Sequence, residues 1–236
     1  MFVASYIMCA NGFDSSATFI FLGANYHTFT VGLHEYWRLF TCGFLHLNIF
    51  HLIVNMYSFY FLSRALTNRM NVFQFLGVLF MSIIVGSLTS TIVNTTNTLS
   101  VGISGGLFGL FVYYFIDVFK NNRMMLNYRT IILSVLPLIL INFMSNVDVY
   151  GHLGGALCGM IMYFIFNSKG LYRYIYLCVF IALIGVLIYL LLTINTITPL
   201  YGGTDSSVVN IWSKIDQNYA NKLSNKLMEV YIKYGQ

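Results

Sequence analysis

Charge is what this sequence has least of. Asp, Glu, Lys and Arg make up only 8% of the chain, hydrophobic residues make up 58%, and the mean hydropathy is +0.75. A soluble domain carries roughly 25% charged residues, so this chain of 236 residues cannot coat a water-facing surface and is an integral membrane protein. The formal charge of +5 comes from cations scattered over short loops, with no basic stripe, which excludes nucleic acid as a partner. The cysteines Cys9, Cys42, Cys158 and Cys178 lack CxxC spacing and sit mostly in apolar stretches. They read as small packing residues rather than disulfide partners or metal ligands. The N-terminus lacks a basic region and a cleavage site, so a signal peptide is not expected.

Crossing the hydrocarbon core takes ~20 mainly apolar residues, and runs of that kind fall near 46–66, 72–93, 102–119, 130–147, 149–167 and 172–195. Residues 2–10 are apolar but too short to span alone. Either a first helix is shortened there, or a longer product would carry more residues. Lys and Arg are absent from the loops near 94–101 and 144–149. The alternate loops carry Arg64, Arg69, Lys120, Arg123, Arg129, Lys169 and Arg173, and the segment before residue 46 has only Arg38. The positive-inside rule makes the cation-bearing loops cytoplasmic. His46, His51, Ser104 and His152 then lie at span ends on the non-cytoplasmic side, at a common depth. The tail repeats apolar residues at Ile211, Ile215, Leu223, Leu227 and Tyr231 with lysines between. This predicts an amphipathic helix on the membrane surface or against the core.

Two segments carry the chemistry: Gly102-Ile103-Ser104-Gly105-Gly106-Leu107-Phe108-Gly109 and Gly151-His152-Leu153-Gly154-Gly155. Taken alone, a Ser among glycines is a packing residue, and a membrane His makes an interhelical hydrogen bond. Glycines at 105 and 109 and at 151, 155 and 159 give both segments the spacing of closely crossing helices. Together, Ser104 and His152 read as nucleophile and general base. The nearest acid to His152 is Asp148, one turn earlier, where it can face solvent or the helix N-terminus. A dyad is therefore favoured, with the ring held by packing against Phe108. Gly102 to Gly106 also fits G-x-S-x-G, but that elbow needs a preceding strand in a soluble α/β sheet, and the residues before it are a polar loop after a span. His51 and Asn55 project from one helix face and can join the Ser104 backbone N–H as oxyanion donors. His46 and His51 without a convergent carboxylate make a poor ligand set, so no metal is expected. His46 is expected to hold its loop by hydrogen bonding to backbone, while His27 and His34 read as loop residues. A transporter is disfavoured, since the spans show neither a charged pathway nor an evident inverted repeat.

Glu35-Tyr36-Trp37-Arg38, then His46, His51 and Asn55, then Gly102-Ile103-Ser104-Gly105 with Phe108, and finally Gly151-His152-Leu153-Gly154-Gly155 with Gly159 follow one another in order. In this the chain resembles the rhomboid family of intramembrane serine proteases, from about Gly32 to Asn167. The resemblance implies an all-α, polytopic six-helix core, here with a short or truncated first helix, plus an extra helix at the C-terminal end. It implies Ser104 as nucleophile, His152 as base, and His51, Asn55 and the Ser104 amide as oxyanion hole. It also implies that Trp37 and Arg38 are structural residues of the loop after the first helix, with His46, Phe108, Gly102, Gly105 and Gly155 in support. The expected organisation is a protease core over 1–167, an additional transmembrane helix over 168–198 and an extramembrane tail over 199–236. The expected activity is endopeptidase cleavage of transmembrane or membrane-anchored proteins near the non-cytoplasmic face of the cell membrane, without cofactor. The alternative is a non-enzymatic member that binds transmembrane clients.

Overall fold

A computed structural model describes residues 1–94, 98–121, 148–194 and 203–234. The expected span over 130–147, and with it Arg123 and Arg129, lies outside the described residues. The remainder is a polytopic helical bundle with one two-stranded ribbon. Its elements are α1 (Phe2–Ala10), α2 (Ser15–Phe21), β1 (Asn25–Tyr26), a π turn (Thr28–Gly32), α3 (Arg38–Thr41) and a 3-10 turn (Cys42–Phe44). These are followed by α4 (Ile49–Leu66), α5 (Val72–Val93), β2 (Leu99–Ser100), α6 (Ser104–Lys120), α7 (Val149–Asn167), α8 (Leu171–Thr193), α9 (Gly203–Ser213) and α10 (Gln217–Tyr234).

Side-chain caps fix where the long helices begin, because the first N–H groups of a helix lack internal acceptors. Asn48 accepts from the His51 N–H at 2.8 Å, so α4 begins at Ile49 and the expected span over 46–66 loses its first three residues to a linker. The preceding Arg38–Phe44 segment meets α4 at a bend of 94°. Asn71 and Gln74 cap α5 reciprocally, at 2.9 and 3.0 Å. Asp148 caps α7 by accepting from the Gly151 N–H at 2.9 Å.

Among the described residues, α5, α7 and α8 are each long and apolar enough to cross a membrane, and the bent pair ending in α4 is a fourth candidate. At 17 residues α6 is shorter, roughly 26 Å at 1.5 Å per residue. Other helices enclose it: Leu107, Leu110, Tyr113 and Tyr114 are buried in a cluster with Leu62, Val78, Val85 and Cys158. The helices α6 and α7 run parallel, with Gly105 beside Gly155 and Gly109 beside Gly159. The opposite-running α5 packs on both, with Gly77 near Met162 and Gly86 against Gly151. Arg64, Lys120 and Lys169 sit at the end of the bundle remote from Ser104. There Asp117 of α6 pairs with Arg69 and accepts from the Asn121 amide at 2.8 Å, while the Arg69 guanidinium lies 5.2 Å from the Tyr114 ring centroid. Outside these, α8 is mostly exposed, as a lipid-facing helix must be.

The segment before α4 is held by buried polar groups. Arg38 is 4% exposed, meets Glu35 at 2.6 Å, and donates to the carbonyls of Ile20 and Ala24. Its guanidinium also lies over the Phe29 and Trp37 rings. Asn25 donates to the Ser87 carbonyl and to Thr91, and accepts from Thr30, so β1 is pinned to α5. The π turn carries buried His27 at its start, and His34, at a φ of 58°, pairs its Nδ1 with the Tyr36 hydroxyl. All four cysteines are free thiols.

The single periodic face expected over 211–231 is divided between two helices, because Asp216 caps a new helix by accepting from the Tyr219 N–H at 3.0 Å. Ile215 falls in the break and is exposed, whereas Ile211, Leu223 and Leu227 bury against Ala17, Ile20, Tyr26 and Phe29. The apolar face of the tail is therefore satisfied by the protein itself. Asp205 is buried beneath it: one carboxylate oxygen receives the Tyr231 hydroxyl and the other has no partner among the described residues. Burial pushes the Asp205 carboxyl up from 3.8 to about 7, and burial, with this carboxylate second, raises its neighbour Tyr26. A raised folded value means that the docked tail holds a proton the free chain releases. The tail's contribution is then complete below about pH 4, declines as pH rises toward 7, and is level above it. Each pH unit in that window is worth about 1.4 kcal/mol. Asp205→Asn is expected to flatten the fall in thermal unfolding midpoint between pH 5 and pH 7.5. An unchanged slope in the variant would show that another group carries it.

Candidate active site

Three helix beginnings converge at the end of the bundle away from the cationic loops. Gly102 has φ of 118°, a conformation that glycine tolerates. A side chain there would also meet His51 Cε1 at 2.8 Å, so this glycine both turns the chain into α6 and leaves room for the histidine ring. The Gly102 N–H is held by the Cys42 carbonyl at 2.9 Å. Ser104 is the first residue of α6, where a backbone N–H has no acceptor inside the helix.

The Ser104 Oγ lies 2.8 Å from His152 Nε2, and both residues are buried, at 7% and 6% exposure. The His152 ring stacks on Phe108, with centroids 4.5 Å apart and planes 22° from parallel. This contact arises because Ser104 and Phe108 share a face of α6, one turn apart. The separation of the two polar atoms is set by glycine. A Cβ on Gly155 would overlap the Gly105 carbonyl, and one on Gly159 would overlap the Gly109 carbonyl.

From α4, His51 and Asn55 reach the same place. Asn55 is fully buried, yet among the described residues neither its amide nitrogen nor its oxygen has a hydrogen-bond partner. Leaving a buried amide unmade costs roughly 1–3 kcal/mol, so such a group marks a place for a ligand's polar atom. His46 sits in the linker before α4, its ring edge-on to His51 at 5.1 Å between centroids. Among the described residues its Nε2 has no hydrogen-bond partner, and ring packing on His51 stands in place of the expected hydrogen bond to backbone. Among the described residues no group of three His, Cys, Asp or Glu side chains could share a metal ion.

Trp37 is half exposed and lies against Gly23, while Arg38, the first residue of α3, is buried and donates to the Ala24 carbonyl. Three residues drew less notice in the sequence than they hold in the structure. Gly86 lets α5 touch the start of α7. Ser100 and Asn94 both hydrogen-bond the carboxylate of Asp148. Asn94 begins an Asn-Thr-Thr sequon, but its amide is turned into this network.

A family model described as the Rhomboid domain matches residues 33–169, more than half the chain. RHOMBOID-like protein 1 of Arabidopsis thaliana is 36% identical over 165 residues, covering 68% of this chain and 42% of that protein. The putative rhomboid protease YdcA of Bacillus subtilis is 32% identical over 143 residues, covering 59% of this chain and 72% of YdcA. Rhomboid-like protease 1 of Toxoplasma gondii is 29% identical over 157 residues, covering 64% and 53%. This chain thus spans about half the length of the plant and Toxoplasma relatives.

Proposed function

This chain belongs to the rhomboid family, and we propose that it is an intramembrane serine endopeptidase with Ser104 as nucleophile and His152 as general base. The observation that carries the reading is the 2.8 Å contact between Ser104 Oγ and His152 Nε2, made inside a bundle where both side chains are buried. Ser104 Oγ attacks the scissile carbonyl carbon while His152 Nε2 takes the hydroxyl proton. The negative charge passes to the carbonyl oxygen, where His51, the Asn55 amide and the Ser104 N–H can donate to it. The unpartnered Asn55 amide fits that part, since a donor preorganised for the transition state gains most when nothing occupies it beforehand. The tetrahedral species collapses with cleavage of the C–N bond, and His152 returns the proton to the leaving amine. Water admitted from the open ends of the helices then hydrolyses the ester.

The substrate is a transmembrane or membrane-anchored protein whose helix is weak enough near the outer face to expose a backbone carbonyl. The distribution of loop cations turns the site to the non-cytoplasmic side of the cell membrane. A serine-directed fluorophosphonate tests the reading directly. The full chain in liposomes is expected to be modified once, at Ser104, as located by peptide mass spectrometry. Absence of modification, or modification elsewhere, would favour a non-enzymatic rhomboid that only binds transmembrane clients.

A further inference from the structure

Ser104 and His152 stand on different helices, so their separation depends on what fixes the two helix beginnings against each other. The glycine contacts lock α6 to α7 below the pair. Above it, a single carboxylate is shared among three segments. Asp148, the cap of α7, takes the Gly151 N–H at 2.9 Å and the Asn94 amide at 3.3 Å on Oδ1, and the Ser100 hydroxyl at 2.6 Å on Oδ2. Ser100 belongs to β2, four residues before Ser104, and Asn94 ends α5. The ribbon continues the chain of contacts, since Asn25 and Tyr26 of β1 pair with Ser100 and Leu99, and Asn25 is pinned to α5 through Ser87 and Thr91.

We infer that Asp148 is a positioning residue that ties the start of the His152 helix to the strand feeding Ser104, so that base and nucleophile meet at reacting distance. The inference rests on the serine-protease reading above. A cap alone would require any good N-cap residue, whereas a bridge requires a side chain long enough to span from α7 to β2. Misplacement by about 1 Å can cost on the order of 100-fold in rate, so the bridge matters even where the fold survives without it.

Asp148→Ser separates the two roles, because serine caps helices well but is one atom shorter and forfeits the second oxygen. Asp148→Asn retains both an acceptor for Gly151 and a polar atom for Ser100. With a transmembrane peptide substrate in liposomes, Asp148→Ser is expected to lower kcat about 10- to 100-fold, with KM within twofold and the melting temperature near wild type. Asp148→Asn is expected to recover kcat to within about threefold. Ser100→Ala is expected to reproduce the loss, and the double variant Ser100→Ala/Asp148→Ser is expected to be no worse than Asp148→Ser. Wild-type kcat in Asp148→Ser, or independent multiplication of the two losses, would overturn the inference. The tether is also read without turnover, by amide hydrogen exchange at Leu99–Ser100 and at Gly151–His152. Exchange should quicken in Asp148→Ser and not in Asp148→Asn, and equal exchange in all three proteins would overturn the inference whatever the wild type cleaves. Failure of the wild type to react with fluorophosphonate, with that exchange pattern present, would instead reject the protease reading.

Discussion

Substituting His152 by alanine is expected to lower kcat for a transmembrane substrate by about 10⁴-fold or more, and Ser104→Ala is expected to do the same. The reason is that the two side chains perform one act. The Ser104 hydroxyl is a weak nucleophile until its proton leaves, and His152 Nε2 is 2.8 Å away to take it. Losses should therefore not multiply: the variant lacking both should be no slower than the worse single variant. KM is expected to change little, because substrate approaches through the helix ends and not through the imidazole. Phe108 gives an internal control. Its ring stacks on His152 at 4.5 Å, so Phe108→Leu should keep the base present but loosely aimed, with a loss far smaller than that of His152→Ala. Single-turnover phosphonylation in detergent measures the chemical step alone. A His152→Ala protein that reacts at more than one hundredth of the wild-type rate would show that another group takes the proton.

The second large effect is expected at Gly159 and is one of folding. The helices α6 and α7 approach until backbone touches backbone, so a Cβ at Gly159 would overlap the Gly109 carbonyl oxygen. Overpacking a core usually costs about 1–3 kcal/mol because flexible side chains yield. Here a carbonyl stands in the way, so Gly159→Leu should cost at least the upper end of that range, a large part of a typical 5–15 kcal/mol of stability. The helices would have to part, and Ser104 and His152 with them. The expected result is a melting temperature lowered by several degrees and little fluorophosphonate labelling of the protein that remains folded. Gly185→Leu on α8 is the control, since nothing among the described residues lies within 4 Å of its missing Cβ, and it should melt at or above the wild-type temperature. A Gly159→Leu protein as stable as that control would refute the close crossing.

How far the sequence could be read differs from one residue to the next. Phe108 was placed against His152 because residues 104 and 108 must share a helix face, a local rule that needs no partner. The four-residue glycine spacing at 105, 109, 155 and 159 signalled a close helix pair, since in lipid only small residues let backbones touch. His46 was expected to bond backbone and instead packs on the His51 ring, a choice that depends on how the linker lies and that no local pattern reports. The tail was read as one helix because its apolar positions keep a helical period across the break, and the competing cap from Asp216 is visible only once formed. Asp148 was seen as an acid one turn from His152. Its other partners, Ser100 and Asn94, lie 48 and 54 residues away in the chain, and no periodicity reports such a meeting.

By itself, then, the sequence determined that the chain lives in a membrane, which runs are apolar, and which polar residues gather at one end. Those are consequences of composition, of a 3.6-residue period and of the cost of charge in hydrocarbon, all local or additive properties. The tertiary structure alone decided which glycines of α6 and α7 meet, that Arg38 and Asn25 are spent holding the segment before α4, and that the tail buries its own apolar face. It also decided that one carboxylate joins three segments. Each of these is a meeting of residues far apart in the chain, and only the packed fold, with its backbone polar groups requiring partners in the absence of water, selects which meetings occur.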